Sequence, residues 1–159
     1  MNDQMALDPT MTRVIEAVRL GQTGDTAEAR ELLTALWDEL GPTGDALHRC
    51  TVAHHLADLQ DTLDAELSWD ERALVAVSEL TDERVRRHLP SLEVRALLPS
   101  LHLNLADCHR RLGNAGPARE HLARSRDHLD QLPDDPYGEM IRTAVRDFDA
   151  DDPTDHRGR

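Results

Sequence analysis

A chain of 159 residues has the length of one domain, enough to bury about two thirds of the surface its unfolded form exposes. Charged residues make up 31% and aromatics 3%, which favours helices built on Leu, Ala and Val over an all-β fold that needs β-branched and aromatic side chains. A net charge of −13, with all 18 basic residues arginine, sets the surface against phosphate backbones and excludes nucleic acid as a general partner.

Residues 1–8 read as a flexible start, and Asp3, Asp8, Arg13 and Glu16 interrupt any apolar run of the signal-peptide kind. Asp8-Pro9 is an N-cap followed by proline at the first helical position, and Met11, Val14, Ile15, Val18 and Leu20 continue as a helical stripe. Gly21 and Gly24-Asp25 end it. Thr26 is placed to cap a second helix, with Ala29, Leu32, Leu33, Leu36, Trp37 and Leu40 on its inner side. The break at Gly41-Pro42-Thr43-Gly44 precedes a third helix, from about Asp45 to Leu59, which carries Leu47, Val52, Ala53, Leu56 and Ala57. A fourth helix is expected over about 63–80, with Leu63, Leu67, Ala73, Leu74 and Val77 inside.

Pro90 and Pro99 limit straight helices, so short helices are expected at about 82–89 and 91–98, with a separate one at 99–112. After Gly113-Asn114 a helix runs to about Gln131, and Pro133-Asp134-Asp135-Pro136 leads into a last helix at 136–149 with Met140, Ile141, Val145 and Phe148 on one side. The acidic tail at 150–159 has no apolar content and is expected to be disordered, leaving 9–149 as a single helical domain. No stretch approaches the ~20 apolar residues of a membrane span, so a cytoplasmic protein with no membrane partner and reduced Cys50 and Cys108 is expected.

Self-similarity organises these helices. His102-x2-Leu105-Ala106-x2-His109, the Gly113-Asn114 turn and Ala118-x3-Leu122 keep the spacing of a two-helix repeat of ~34 residues. Ala17-x2-Leu20, Gly24-Asp25 and Ala29-x3-Leu33 repeat it, and Ala53-x2-Leu56-Ala57-x2-Gln60 opens a third copy, with Ala65-x3-Trp69 and Ala73-x2-Ala76 competing for its second half. Small residues at Ala17, Ala29, Ala57, Ala106 and Ala118 let helices approach closely. The chain resembles the tetratricopeptide-repeat family over about 12–132, and in particular small actinobacterial repeat proteins with segments such as His55-Leu56-Ala57-Asp58-Leu59-Gln60. The resemblance implies an all-α solenoid of about seven or eight helices, with an inserted helix pair around 82–98, that binds a peptide or protein partner on its concave face.

Transferring the family's groove positions points to His54, Asp58, Asp61, Leu103, Asp107, Arg110 and Arg111, with Val14 and Val18 contributed by the first hairpin, and Asn104 joins the candidate site as a neighbouring amide. The competing reading is pairing among solvated helix faces, as in Asp107 and Arg111 four residues apart. A carboxylate clamp is disfavoured by the missing lysine and the intruding Asp58 and Asp107. His48-x-Cys50-x3-His54-His55-x2-Asp58 has workable metal-ligand spacing, and Asp107-Cys108-His109 with His102 forms a second set. The plainer reading is small core thiols and scattered surface histidines, and no cofactor or metal is expected.

An enzyme would draw acid/base groups from His54, His55, His102 and Asp107, but no nucleophile elbow, phosphate loop or dinucleotide fingerprint occurs, so non-catalytic binding is the expectation. A small-molecule ligand in the helical groove and self-association as a homodimer are the alternatives. Trp37 and Trp69 fall in apolar stripes and read as packing, and Arg84-Val85-Arg86-Arg87-His88 as a solvated helix end.

Overall fold

The computed structural model describes residues 8–83 and 94–150. Residues 1–7, the run Arg84–His88 with most of the expected 82–89 helix, and the tail at 151–159 lie outside the described residues. Among those described, the protein is all-helical, with seven α-helices: α1 (Pro9–Gln22), α2 (Thr26–Leu40), α3 (Ala46–Asp58), α4 (Leu63–Val77), α5 (Val94–Arg111), α6 (Ala115–Asp127) and α7 (Pro136–Ala150), with one 3-10 turn at Leu129–Gln131. The chain divides into two compact units, 1–80 and 81–159.

In the first unit each helix packs on its neighbour, α1 on α2, α2 on α3 and α3 on α4, and α1 also reaches α3. The helix starts are set by short polar side chains. Asp8 accepts from the backbone N–H groups of Thr10 and Met11, Asp45 from that of His48, and Thr62 from that of Ala65. Thr26 is the first residue of α2 and not its cap; Asp25 takes the cap position. The core joins Val14, Ala17, Leu33, Leu36, Val52 and Leu56, with Val18, Trp37, Leu40, Leu59 and Trp69 packed around it. Trp37 and Trp69 meet edge to face at 5.2 Å, the packing role their stripes imply. Two stripe residues fall outside: Ile15 is 59% and Leu32 38% exposed. Each lies one helical position from a buried neighbour, Val14 or Leu33, and the buried arc is too narrow to hold both.

In the second unit α5 packs on α6, and α7 touches both. Ala106, Leu122, Val145 and Phe148 form one cluster of its core, with Leu103 and Leu129 alongside. Met140 is 59% exposed, so only Ile141, Val145 and Phe148 of the expected α7 stripe turn inward. The expected boundary at Pro99 is absent: α5 runs through it from Val94 to Arg111. A proline costs the helix one N–H and crowds the preceding turn. Here its side chain is fully buried and its carbonyl accepts the hydroxyl of buried Ser125 at 2.7 Å, so packing against α6 outweighs the local penalty.

The small residues expected at close helix approaches turn inward. Ala17, Ala29, Ala57, Ala106 and Ala118 are all buried, as are Leu33 and Leu122. The two hairpin turns are built alike. Gly24 and Gly113 have φ of 101° and 82°, and the following N–H reaches back to the last turn: Asp25 to the carbonyl of Leu20 at 2.9 Å, Asn114 to that of His109 at 2.8 Å. At Gly113 an added Cβ would meet nothing, so the strain of Gly113→Ala is purely conformational. That substitution is expected to cost about 1–2 kcal/mol, read as a lower midpoint in urea with an unchanged slope.

Candidate functional site

Among the described residues a cleft is found in each unit. In the second unit a cleft of about 370 Å³ opens between α5 and α7, lined by Leu103, Asn104, Asp107 and Arg110 on one side and Ala144, Asp147 and Phe148 on the other. The spacing of the α5 residues (103, 104, 107, 110) places them on one helical face. Asp107 is held by two arginines, with Arg110 Nη2 at 2.7 Å from Oδ1 and Arg111 Nε at 3.0 Å from Oδ2. The Arg110 guanidinium also lies 4.4 Å over the ring of Phe148. Two arginines therefore offset Asp107, and the cleft combines an apolar floor with an amide, a fixed guanidinium and the carboxylate of Asp147. Arg111 lies outside the lining; it positions Asp107.

In the first unit a cleft of about 290 Å³ is lined by Val18, Gly21 and Gln22 of α1, Leu33 of α2, and His55, Asp58 and Leu59 at the end of α3. Gly21 is needed here: a Cβ would come within 3.3 Å of Leu59 Cδ2 and 3.6 Å of Ala29 Cβ. His54 stands beside His55, ring centroids 5.1 Å apart. Burial, and then the neighbouring His54, push the His55 pKa down to about 4, so its ring is neutral at neutral pH. Asp58 is open to solvent at one edge. Its carboxyl is nonetheless held above the ordinary range by partial loss of water, by the like charge of Glu66, and against the opposing pull of His54. Asp61 lies outside the lining and faces Arg30, whose guanidinium grips both carboxylate oxygens at 3.1 and 3.2 Å and donates through Nε to the carbonyl of Leu59.

The wider metal-spaced run separates in space. His48 is engaged through Nε2 by Asp8 at 2.5 Å and lies 3.9 Å from Asp45 through Nδ1. Cys50 is buried, and that burial pushes its thiol up to about 12, so it is a core thiol and not a thiolate ligand. The ligand atoms of His54, His55 and Asp58 do come together, all within 4.8 Å of one another.

A further feature was only half visible in the sequence. His102 and His109 of α5 interleave with His121 of α6 and with His128 just beyond its end. His109 stacks on His121 at 5.5 Å, His121 on His102 at 5.3 Å and His102 on His128 at 6.4 Å. His102 Nδ1 is 3.1 Å from His121 Nδ1. Burial first, and then His121, Arg124 and His128, push the His102 pKa down to about 4. Burial likewise lowers that of His121, aided by His109 and Arg124 and opposed by Glu120. The overlooked signal is a seven-residue spacing on both arms of the helical hairpin, 102 to 109 and 121 to 128, which on α5 returns both histidines to one helix face.

No family model matches this chain, and neither the curated proteins nor the solved structures contain a match to it. No helix among the described residues is long and apolar enough to cross a membrane.

Proposed function

We propose that the protein is a non-catalytic binding module of the tetratricopeptide type, an α-solenoid of stacked hairpins that holds a peptide segment of a partner protein in the cleft between α5 and α7. One observation carries the reading: Leu103, Asp107 and Arg110, three positions taken from the family's groove pattern, line one cleft together with the candidate Asn104. The packing of α1 on α3 as well as on α2 supports stacked hairpins in the first unit. In the cleft, Leu103, Ala144 and Phe148 offer apolar surface for a side chain. Asn104 and Arg110 offer N–H donors for a peptide carbonyl or carboxylate. Arg110 is already held by Asp107 and Phe148, so it loses little freedom on binding, and preorganised donors of this kind favour affinity.

The test is selection of binders from a displayed peptide library, followed by titration against Asn104→Ala and Arg110→Ala. Each substitution is expected to weaken binding about tenfold or more, the cost of one charge-assisted bond. Arg146→Ala, at an exposed arginine paired with Glu139, should leave binding unchanged. Arg110 is exposed, so Arg110→Ala should keep the melting temperature within a few degrees of the parent. Selected peptides that bind all three variants as tightly as the parent would remove the cleft from consideration.

A further inference from the structure

Three nitrogen or oxygen donors converge at the C-terminal end of α3. The ligand atoms of His54, His55 and Asp58 lie within 4.8 Å of one another, and two of the three residues, His55 and Asp58, form part of the wall of the first unit's cleft. We propose that His54, His55 and Asp58 form an open-sided site for a divalent first-row transition-metal ion, with its remaining coordination positions facing that cleft.

The residue types choose the class of ion. Two imidazoles and one carboxylate suit zinc, nickel, cobalt or copper, whereas magnesium and calcium take oxygen donors. The helix supplies the geometry. Positions 54 and 58 are one turn apart, and 55 and 58 share a face at three residues' spacing. Ligands about 2.0–2.2 Å from a tetrahedral ion stand about 3.3 Å from each other, so the widest gap must close by about 1.5 Å. Asp58 is exposed and can rotate to make that closure, and both histidines are only partly buried. All three ligands come from little more than one turn of helix, so they occupy one side of the ion. A water or a donor atom of a bound molecule would take the positions on the cleft side. The like charge of Glu66 also acts on Asp58. Bringing two carboxylates together is unfavourable in the empty site, and a divalent cation relieves it.

The site lies in the first unit and is independent of the peptide reading, which rests on α5 and α7. The test uses the full-length protein stripped of metal with a chelator and titrated with zinc or cobalt chloride. The expected result is one tight ion per chain, a visible cobalt spectrum with nitrogen and oxygen ligation, and a raised melting temperature for the first unit. Asp58→Asn and His55→Gln should each lower the affinity at least tenfold. His102→Gln, in the histidine stack of the second unit, should leave it unchanged. Asp58 is exposed, so Asp58→Asn decides the question even if a histidine variant folds poorly. No stoichiometric binding, retention of full affinity in Asp58→Asn, or loss of affinity in His102→Gln would each overturn the assignment.

Discussion

Leu56→Ala is expected to destabilise the first unit by about 2–5 kcal/mol, the largest effect of any single truncation considered for it. Leu56 is fully buried, on the face of α3 that meets Val14 and Ala17 of α1 and Leu33 and Leu36 of α2. Removing its isobutyl group takes away the apolar burial and leaves a cavity. The surrounding residues are short or already committed to neighbours: Ala17 has no reach, and Leu33 and Leu36 fill the space between α2 and α1. Partial collapse therefore recovers little, which places the cost in the upper half of that range. For a unit of this size the midpoint should fall by roughly 10 °C or more. Leu32→Ala is the matched control, because it removes the same group from a 38% exposed position and should change stability by no more than about 0.5 kcal/mol. Hydrogen exchange at the α1–α3 amides measures both. Equal protection in the two variants would mean that Leu56 is not central to the core of the first unit.

The legible part of this fold was the part written in spacing. Helix starts follow from Asp8-Pro9, Asp45 and Thr62, because a short side-chain oxygen before an apolar stripe has one efficient use, to accept the orphan N–H groups of the first turn. The hairpin turns follow from Gly24-Asp25 and Gly113-Asn114, because a positive φ is needed there. The buried alanines were legible in their spacing, since a close helix approach has room for little else.

What the sequence left open was settled by packing between elements. A proline inside a helix reads as a stop, and only the burial of Pro99 and its bond to Ser125 explain why α5 passes through it. Stripe edges are undecided in sequence, since Ile15, Leu32 and Met140 sit one position from buried residues and only the width of the partner surface decides. In the candidate sites the cleft residues of α5 were readable, because one helix carries them. Ala144, Asp147 and Phe148 on the opposite wall were not, because nothing local says which face of α7 turns toward α5. The same reason hid the pairing of Asp61 with Arg30, 31 residues away. His48, His54 and Cys50 share a metal-like spacing, yet each takes a different environment once Asp8 and the core are in place.

The histidine stack is expected to make the second unit acid-sensitive, and the sign follows from where its protons can bind. An unfolded histidine titrates near 6.5, while buried His102 is held to about 4 by lost hydration and by His121, Arg124 and His128. The full stability is present above 6.5, where both states are neutral at this ring. As the pH falls from 6.5 toward 4 the unfolded chain takes up a proton that the folded one refuses, so stability is lost across that window and levels off below it. The gap corresponds to about 3 kcal/mol in all, of which about 2 kcal/mol should be lost by pH 5, where ordinary carboxylates are still mostly ionised. His121 is shifted the same way and adds to the slope, with Glu120 working against it. Urea denaturation at pH 7, 6 and 5, read by hydrogen exchange on α5 and α6, should show the loss. His102→Gln should flatten it, because glutamine carries no proton to gain and can still reach the ring nitrogen of His121. His55 titrates low in the first unit and would mimic the effect in a whole-chain signal, so the reading must come from α5 and α6 amides alone. An unchanged slope in His102→Gln would show that these imidazoles are hydrated and the stack is open to water.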